Sequence, residues 1–126
     1  MAVSVRADDG TLVVRMTRVD MIASMRRRIA LPITAVTGVR PLSLELADAD
    51  RPLFRAPGTY WGRRGIIAGT YHGRGEAPQF WCVRNAEEVL SIDLTGGEIS
   101  RGLGRIVVAV DDPLGTSRAI AKRVFR

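Results

Sequence analysis

Ile106-Val107-Val108-Ala109-Val110-Asp111-Asp112-Pro113-Leu114-Gly115-Thr116-Ser117 is the stretch on which the fold turns, because its hydrophobic period changes partway along. Its first five residues form an unbroken apolar run, the pattern of a strand covered on both faces. Asp111 and Asp112 before Pro113 then read as the start of a helix. A carboxylate there can accept the first free N–H groups, and proline at the first helical position gives up a donor that has no partner anyway. Downstream, Leu114, Ser117, Ile120, Ala121 and Val124 recur at helical spacing, while Arg118, Lys122 and Arg126 fall at intervals of four. The sequence therefore predicts a buried strand followed by a C-terminal helix with one dry and one wet face.

Upstream the signals are those of strands. Val3 to Arg6 and Thr11 to Met16 are two β-rich runs around Asp8-Asp9-Gly10, and an Asp-Gly turn between such runs predicts a hairpin. Met21, Ile22 and Met25 suit one or two helical turns. Ile29-Ala30-Leu31 gives way at Pro32 to a predicted helical turn that Gly38 closes, after which Val39 opens an extended run through Leu42, Leu44 and Leu46. From Ala47 to Gly65 the pattern dissolves into Asp, Pro, Gly and Arg, which predicts a long surface loop with Ala56-Pro57-Gly58 as its sharpest turn. Ile66 to Tyr71, Gln79 to Val83 and Val89 to Leu94 read as further strands. No repeat or low-complexity tract interrupts them. The expected fold is one domain over residues 1–126, mainly β with one C-terminal helix.

Composition bounds the class. The 126 residues are 46% hydrophobic and 25% charged, values of an ordinary globular domain and not of a disordered or fibrous chain. No apolar window is long enough to span a bilayer. The first twenty residues carry Arg6, Asp8, Asp9, Arg15, Arg18 and Asp20 and lack an apolar core, so no cleaved signal peptide is expected and the expected compartment is the cytoplasm. Cys82 is the only cysteine, which leaves no internal disulfide or thiolate cluster to form. The formal charge is +6, and Lys122 is the only lysine among the basic residues. Coding bias produces such a skew, and so does selection for planar, bidentate recognition of phosphate or carboxylate.

Two segments resemble the bacterial pleckstrin-homology-like domains. One is Leu31-Pro32-Ile33-Thr34-Ala35-Val36-Thr37-Gly38-Val39. The other is Phe54-Arg55-Ala56-Pro57-Gly58-Thr59 followed by Gly69-Thr70-Tyr71, Phe80-Trp81 and Val108 to Pro113, which is similar to uncharacterised actinobacterial members. The resemblance implies a partly open antiparallel barrel capped by an amphipathic helix, and a binding rather than a catalytic role. Members that bind phosphoinositides place basic residues around the loop between the first two strands. That loop here is the short, acidic Ala7-Asp8-Asp9-Gly10.

Chemistry-bearing residues are sparse. His72 and Cys82 are each the only residue of their type. If Ile66 to Tyr71 and Gln79 to Val83 form a hairpin, His72 is expected opposite Gln79, three residues from Cys82 and on the other face. No Cys/His pair, and no catalytic residue, is expected from that spacing. One histidine among scattered carboxylates makes no zinc set, so no metal is expected. Gly102-Leu103-Gly104 has no GKS or GKT sequel and leads into a strand, so it reads as a turn and no cofactor is expected. Arg26 to Arg28, Arg63, Arg64 and Arg74 accompany five aromatic residues, a mixture that single-stranded nucleic acid would use. Tyr71, Phe80 and Trp81, however, read as core, and nucleic acid ranks low among the partners.

Large apolar side chains and arginines meet in the segment Arg51 to Arg64, a mixture that suits protein interfaces. Phe54, Arg55, Tyr60, Trp61, Arg63 and Arg64 are the candidate partner-binding residues. The other reading of this segment folds it back over the edge of the core. The leading functional expectation is a non-enzymatic module that binds a protein partner or itself through this segment or an exposed strand edge. The alternative is peripheral binding to anionic lipid through Arg26, Arg27, Arg28, Arg63 and Arg64 with Trp61 as an interfacial anchor. A third is a small enzyme whose site carries no signature.

Overall fold

The Asp-Gly turn forms as the sequence predicts: β1 (Val3–Asp8) and β2 (Thr11–Met16) pair antiparallel from Asp8 opposite Thr11 to Val3 opposite Met16. Asp9 and Gly10 both take positive φ, 48° and 75°, the backbone that a tight two-residue hairpin demands and that Asp-Gly supplies at low cost. A computed structural model describes residues 3–17, 24, 26–49, 51, 54–61, 66–73 and 75–125, with the backbone path alone for 54–61. The expected helical turns between Asp20 and Met25 lie outside the described residues, apart from Ser24 and its buried, helical position.

β3 (Arg28–Pro32) completes a three-stranded sheet in the order β1-β2-β3. Pro32 closes this strand and the 3₁₀ turn begins one residue later, over Ile33–Ala35. The next strand, β4 (Val36–Ser43), also begins earlier than predicted, with a bulge at Thr37 between the paired positions Val36 and Gly38. Leu44 and Leu46 do not extend it. They belong to a short helix, α1 (Leu44–Ala49), whose first turn is held by Ser43 Oγ accepting from Leu46 N at 3.3 Å. The apolar alternation misled because only Ala47 of this helix is buried, while Leu46 faces solvent.

The predicted loop from Ala47 to Gly65 is the largest departure. After α1 the chain forms β5 (Phe54–Trp61), paired with β6 (Ile66–His72) from Trp61 opposite Ile66 to Phe54 opposite His72. Ala56-Pro57 is a register shift within this strand rather than a turn. Proline and glycine lower strand propensity locally, but an edge strand tolerates a residue without a donor and a bulge absorbs the misfit.

β7 (Gln79–Arg84), β8 (Glu88–Leu94) and β9 (Arg105–Val108) complete a second, six-stranded sheet in the order β4-β8-β9-β7-β6-β5. β7 and β8 are consecutive in sequence, yet β9 lies between them, parallel to β7 and antiparallel to β8. Among the described residues that parallel pair is the one exception to antiparallel pairing. A strand so placed must be apolar on both faces, and all of β9 is buried, as the continuous Ile-Val-Val run predicts.

The two sheets pack face to face without closing into a barrel. Val5, Leu12, Val14, Ile29 and Leu31 of the small sheet meet Phe80, Cys82, Leu90, Ile92, Ile106 and Val108 of the large one. Ile120 of the C-terminal helix α2 (Pro113–Val124) joins this core. The helix starts as expected, with Pro113 in its first turn and the Asp112 carboxylate accepting from Gly115 N at 3.0 Å. Leu114 is a correction: it is 47% exposed, because the helix turns Ser117 and Ile120 inward and leaves the first turn in water. The fold is thus mainly β with one amphipathic helix at the C-terminus.

Candidate functional site

The large sheet has a second covered face, which the sequence did not announce. Tyr71, Trp81, Val83, Val89 and Val107 form a smaller core there with Ala47 of α1. Trp81 and Tyr71 meet edge to face, with ring centroids 6.5 Å apart at 72°. Two arginines lie against these rings. The Arg51 guanidinium is 4.9 Å from the Tyr71 ring and 5.9 Å from Trp81, and its Nε donates to Asp48 Oδ1 at 2.6 Å. Arg105, only 7% exposed, lies 5.5 Å from the Trp81 ring. Its Nε donates to Ser91 Oγ at 2.9 Å and its Nη2 to the Ala47 carbonyl at 3.4 Å.

Arg51, the first residue of the predicted binding segment, is therefore folded back over the core. Half-buried beside aromatic faces, it ties α1 to the sheet through cation–π attraction and a charged hydrogen bond. Arg105 does the same from β9. Neither role is visible from residue type, since an arginine inside an apolar run gives no local sign of the helix that will cap it.

The remaining candidates sit differently. Phe54, Arg55, Tyr60 and Trp61 all belong to β5, while Arg63 and Arg64 lie outside the described residues. β5 ends the six-stranded sheet, and β6 is its one hydrogen-bonded neighbour among the described residues. Pro57 and the bulge interrupt the first half of the strand, leaving Gly58 to Trp61 as a regular ladder with no strand on its outer side among the described residues. The other edge of the sheet is guarded: α2 packs on β4, and Ser117 Oγ donates to the Val39 carbonyl at 3.4 Å.

Beside the regular half of β5, Ile67 of β6 lies opposite Tyr60. Ile67, Leu44 and Ala86 line a concavity of about 440 Å³ to which Glu45, Asp48 and Glu87 also contribute. The acidic rim stands out on a chain of formal charge +6.

The basic run Arg26 to Arg28 is not one patch. Arg26 lies 5.7 Å from the Phe80 ring, against the main core, whereas Arg27 and Arg28 are exposed. Cys82 is buried in that core opposite Ala68. The β6–β7 register pairs Tyr71 with Gln79, one step from the expectation, so His72 lies four positions along β6 from Ala68 rather than on the opposite face. At about 3.3 Å per residue that is still about 13 Å of strand between the thiol and the imidazole. Gly102-Leu103-Gly104 is a turn, with Arg101 and Gly102 at φ of 55° and 81°. Among the described residues no group of three or more His, Cys, Asp or Glu is placed to hold a metal ion, and no helix is long and apolar enough to cross a membrane.

No protein-family model, curated protein or solved structure matches this chain.

Proposed function

We propose that the protein is a cytoplasmic, non-enzymatic binding module that recognises an extended protein segment by strand addition along β5, a second copy of the chain being the simplest such partner. The observation that carries this reading is the edge at Gly58 to Trp61, which has no outer partner strand among the described residues. An unpaired strand edge presents alternating N–H and C=O groups, and an incoming strand satisfies them in the register of the sheet. Tyr60 and Trp61, two of the candidate partner-binding residues, fall in that regular half of the backbone ladder. The acidic-rimmed concavity beside Ile67 supports the self-pairing form, because a chain of charge +6 brings basic side chains to it. Kinship with the bacterial pleckstrin-homology-like domains is part of the same proposal, supported by the packed β-sheets and the terminal helix.

Sedimentation velocity over a wide protein concentration range tests the reading. At about 0.5 M salt, where screening lengths fall to a few ångströms, backbone pairing persists and long-range charge steering does not. A dimer that survives such salt, with the amides of Gly58 to Trp61 protected from hydrogen exchange, supports it. A monomer at every concentration overturns the self-pairing form.

A further inference from the structure

The outer face of the three-stranded sheet carries an arrangement that neither the fold nor strand addition at β5 requires. Alternation buries Val3, Val5, Leu12, Val14, Ile29 and Leu31 and turns Ser4, Arg6, Arg15 and Arg28 outward. The registers align Ser4, Arg15 and Arg28 in one cross-strand row. Arg6, opposite Val13, stands on the diagonal from Arg15. Like charges placed directly opposite one another in a sheet destabilise it, whereas an opposite charge there stabilises it. Arg6 has an acidic neighbour on its own strand, Asp8, at 3.5 Å. The side chains of Arg15 and Arg28 have no ion-pair or hydrogen-bond partner among the described residues. The row borders a concavity of about 610 Å³.

We infer that Arg15 and Arg28, with the Ser4 hydroxyl beside them and Arg6 on the diagonal, form a site for the doubly charged phosphate group of a small soluble compound. Opposed residues of a ladder stand about 5 Å apart at Cβ, so two long guanidinium side chains can converge on one anion from both sides. Each planar fork offers two parallel N–H donors to phosphate oxygens, which a lysine cannot do. The bound dianion relieves the repulsion that the row otherwise carries. A compact ligand fits this face better than a membrane. Asp8 and Asp9 line the same concavity and oppose an extended anionic surface. Among the described residues the exposed large apolar side chains, Leu46, Ile99, Leu114 and Phe125, all lie on other elements. The row also stands at the end of the hairpin away from the Asp9-Gly10 turn.

The test uses the intact protein and inorganic phosphate above its second pKa, with sodium chloride at matched ionic strength as the control. Wild type is expected to gain melting temperature saturably in phosphate over chloride. Arg15→Thr and Arg28→Thr, which keep a strand-forming residue, should each weaken phosphate binding about tenfold or more. In chloride they should melt at or above the wild-type temperature, since the repulsion is gone. On the wild-type chain, phosphate-induced NMR shifts should centre on Ser4, Arg15 and Arg28, a readout that does not depend on any variant folding. Equal responses in phosphate and chloride, unchanged phosphate binding by Arg15→Thr, or shifts centred elsewhere would overturn the site. Flotation with phosphatidylserine–phosphatidylcholine vesicles that is lost in Arg15→Thr would overturn the small-ligand assignment in favour of a membrane.

Discussion

Proline substitution at Thr59 and at Tyr60 separates the two sides of β5. In an antiparallel ladder, consecutive residues point their N–H groups alternately toward the paired strand and away from it. Thr59 lies opposite Ala68 and Tyr60 opposite Ile67, so one of the two donates to β6 and the other to the open side. Proline at the inward position deletes a ladder bond worth about 1 kcal/mol and leaves a carbonyl of β6 unpaired at about 1–3 kcal/mol more. For 126 residues, an unfolding entropy of about 2 cal/mol/K per residue makes each kcal/mol worth about 4 °C, so the expected loss is roughly 8–16 °C. Proline at the outward position removes a donor that no described strand uses, and the melting temperature should move by less than about 4 °C. That variant should nevertheless lose self-association. In a symmetric pair the same bond is lost twice, about 2–3 kcal/mol in all, which weakens the dimer by about 30- to 150-fold. Thermal melts and sedimentation velocity on both variants give the answer. Two equally damaging prolines would mean that both sides of β5 are paired. A thermally silent proline that leaves association intact would remove edge pairing as its basis.

The packing yields further expectations. Asp112→Ala should cost about 1 kcal/mol in thermal melts by removing the cap on Gly115 N, with Asp112→Asn closer to wild type. Gly115→Ala, ordinarily a gain of about 1 kcal/mol inside a helix, should destabilise the wild-type chain, because its Cβ would run into the Asp112 carboxylate. In the Asp112→Ala background the sign should reverse, and additive melting shifts would contradict the clash. Arg105→Ala should cost about 3–4 kcal/mol in urea unfolding, since it opens a cavity under Trp81 and strips Ser91 and the Ala47 carbonyl of a charged donor. Arg105→Met should cost less by refilling the space, and equal losses would refute a packing role. Gly104→Ala brings a Cβ within 2.8 Å of Ala77 Cβ and should cost about 1–3 kcal/mol, most of it recovered by Ala77→Gly, with differential scanning calorimetry as the check.

Where neighbouring residues determine an element among themselves, the sequence was enough. Asp9-Gly10 makes its turn from two residues able to adopt positive φ. Asp112-Pro113 starts α2 by side-chain and ring chemistry confined to one helical turn. The Ile106 to Val108 run reads as a doubly covered strand because it is short, wholly β-branched and bounded by Gly104 and Pro113. From these followed a mainly β domain with a terminal helix, and a core holding Tyr71, Phe80, Trp81 and Cys82. Tertiary structure decided the rest. β5 is a strand because β6 offers it a ladder, and the same backbone partnership overrides proline, glycine and arginine in the segment that read as a loop. Leu44 and Leu46 enter a helix because Ser43 caps it and Ala47 finds a place over the sheet. Arg51 and Arg105 became structural, and Arg15 came to face Arg28, through pairings between residues distant in sequence or joined across a turn. Charge and residue type are properties of single positions. Which edge stays open, and which like charges are forced together, depend on strand order and register, and those emerge only when the sheets pack and every strand must find its partner at once.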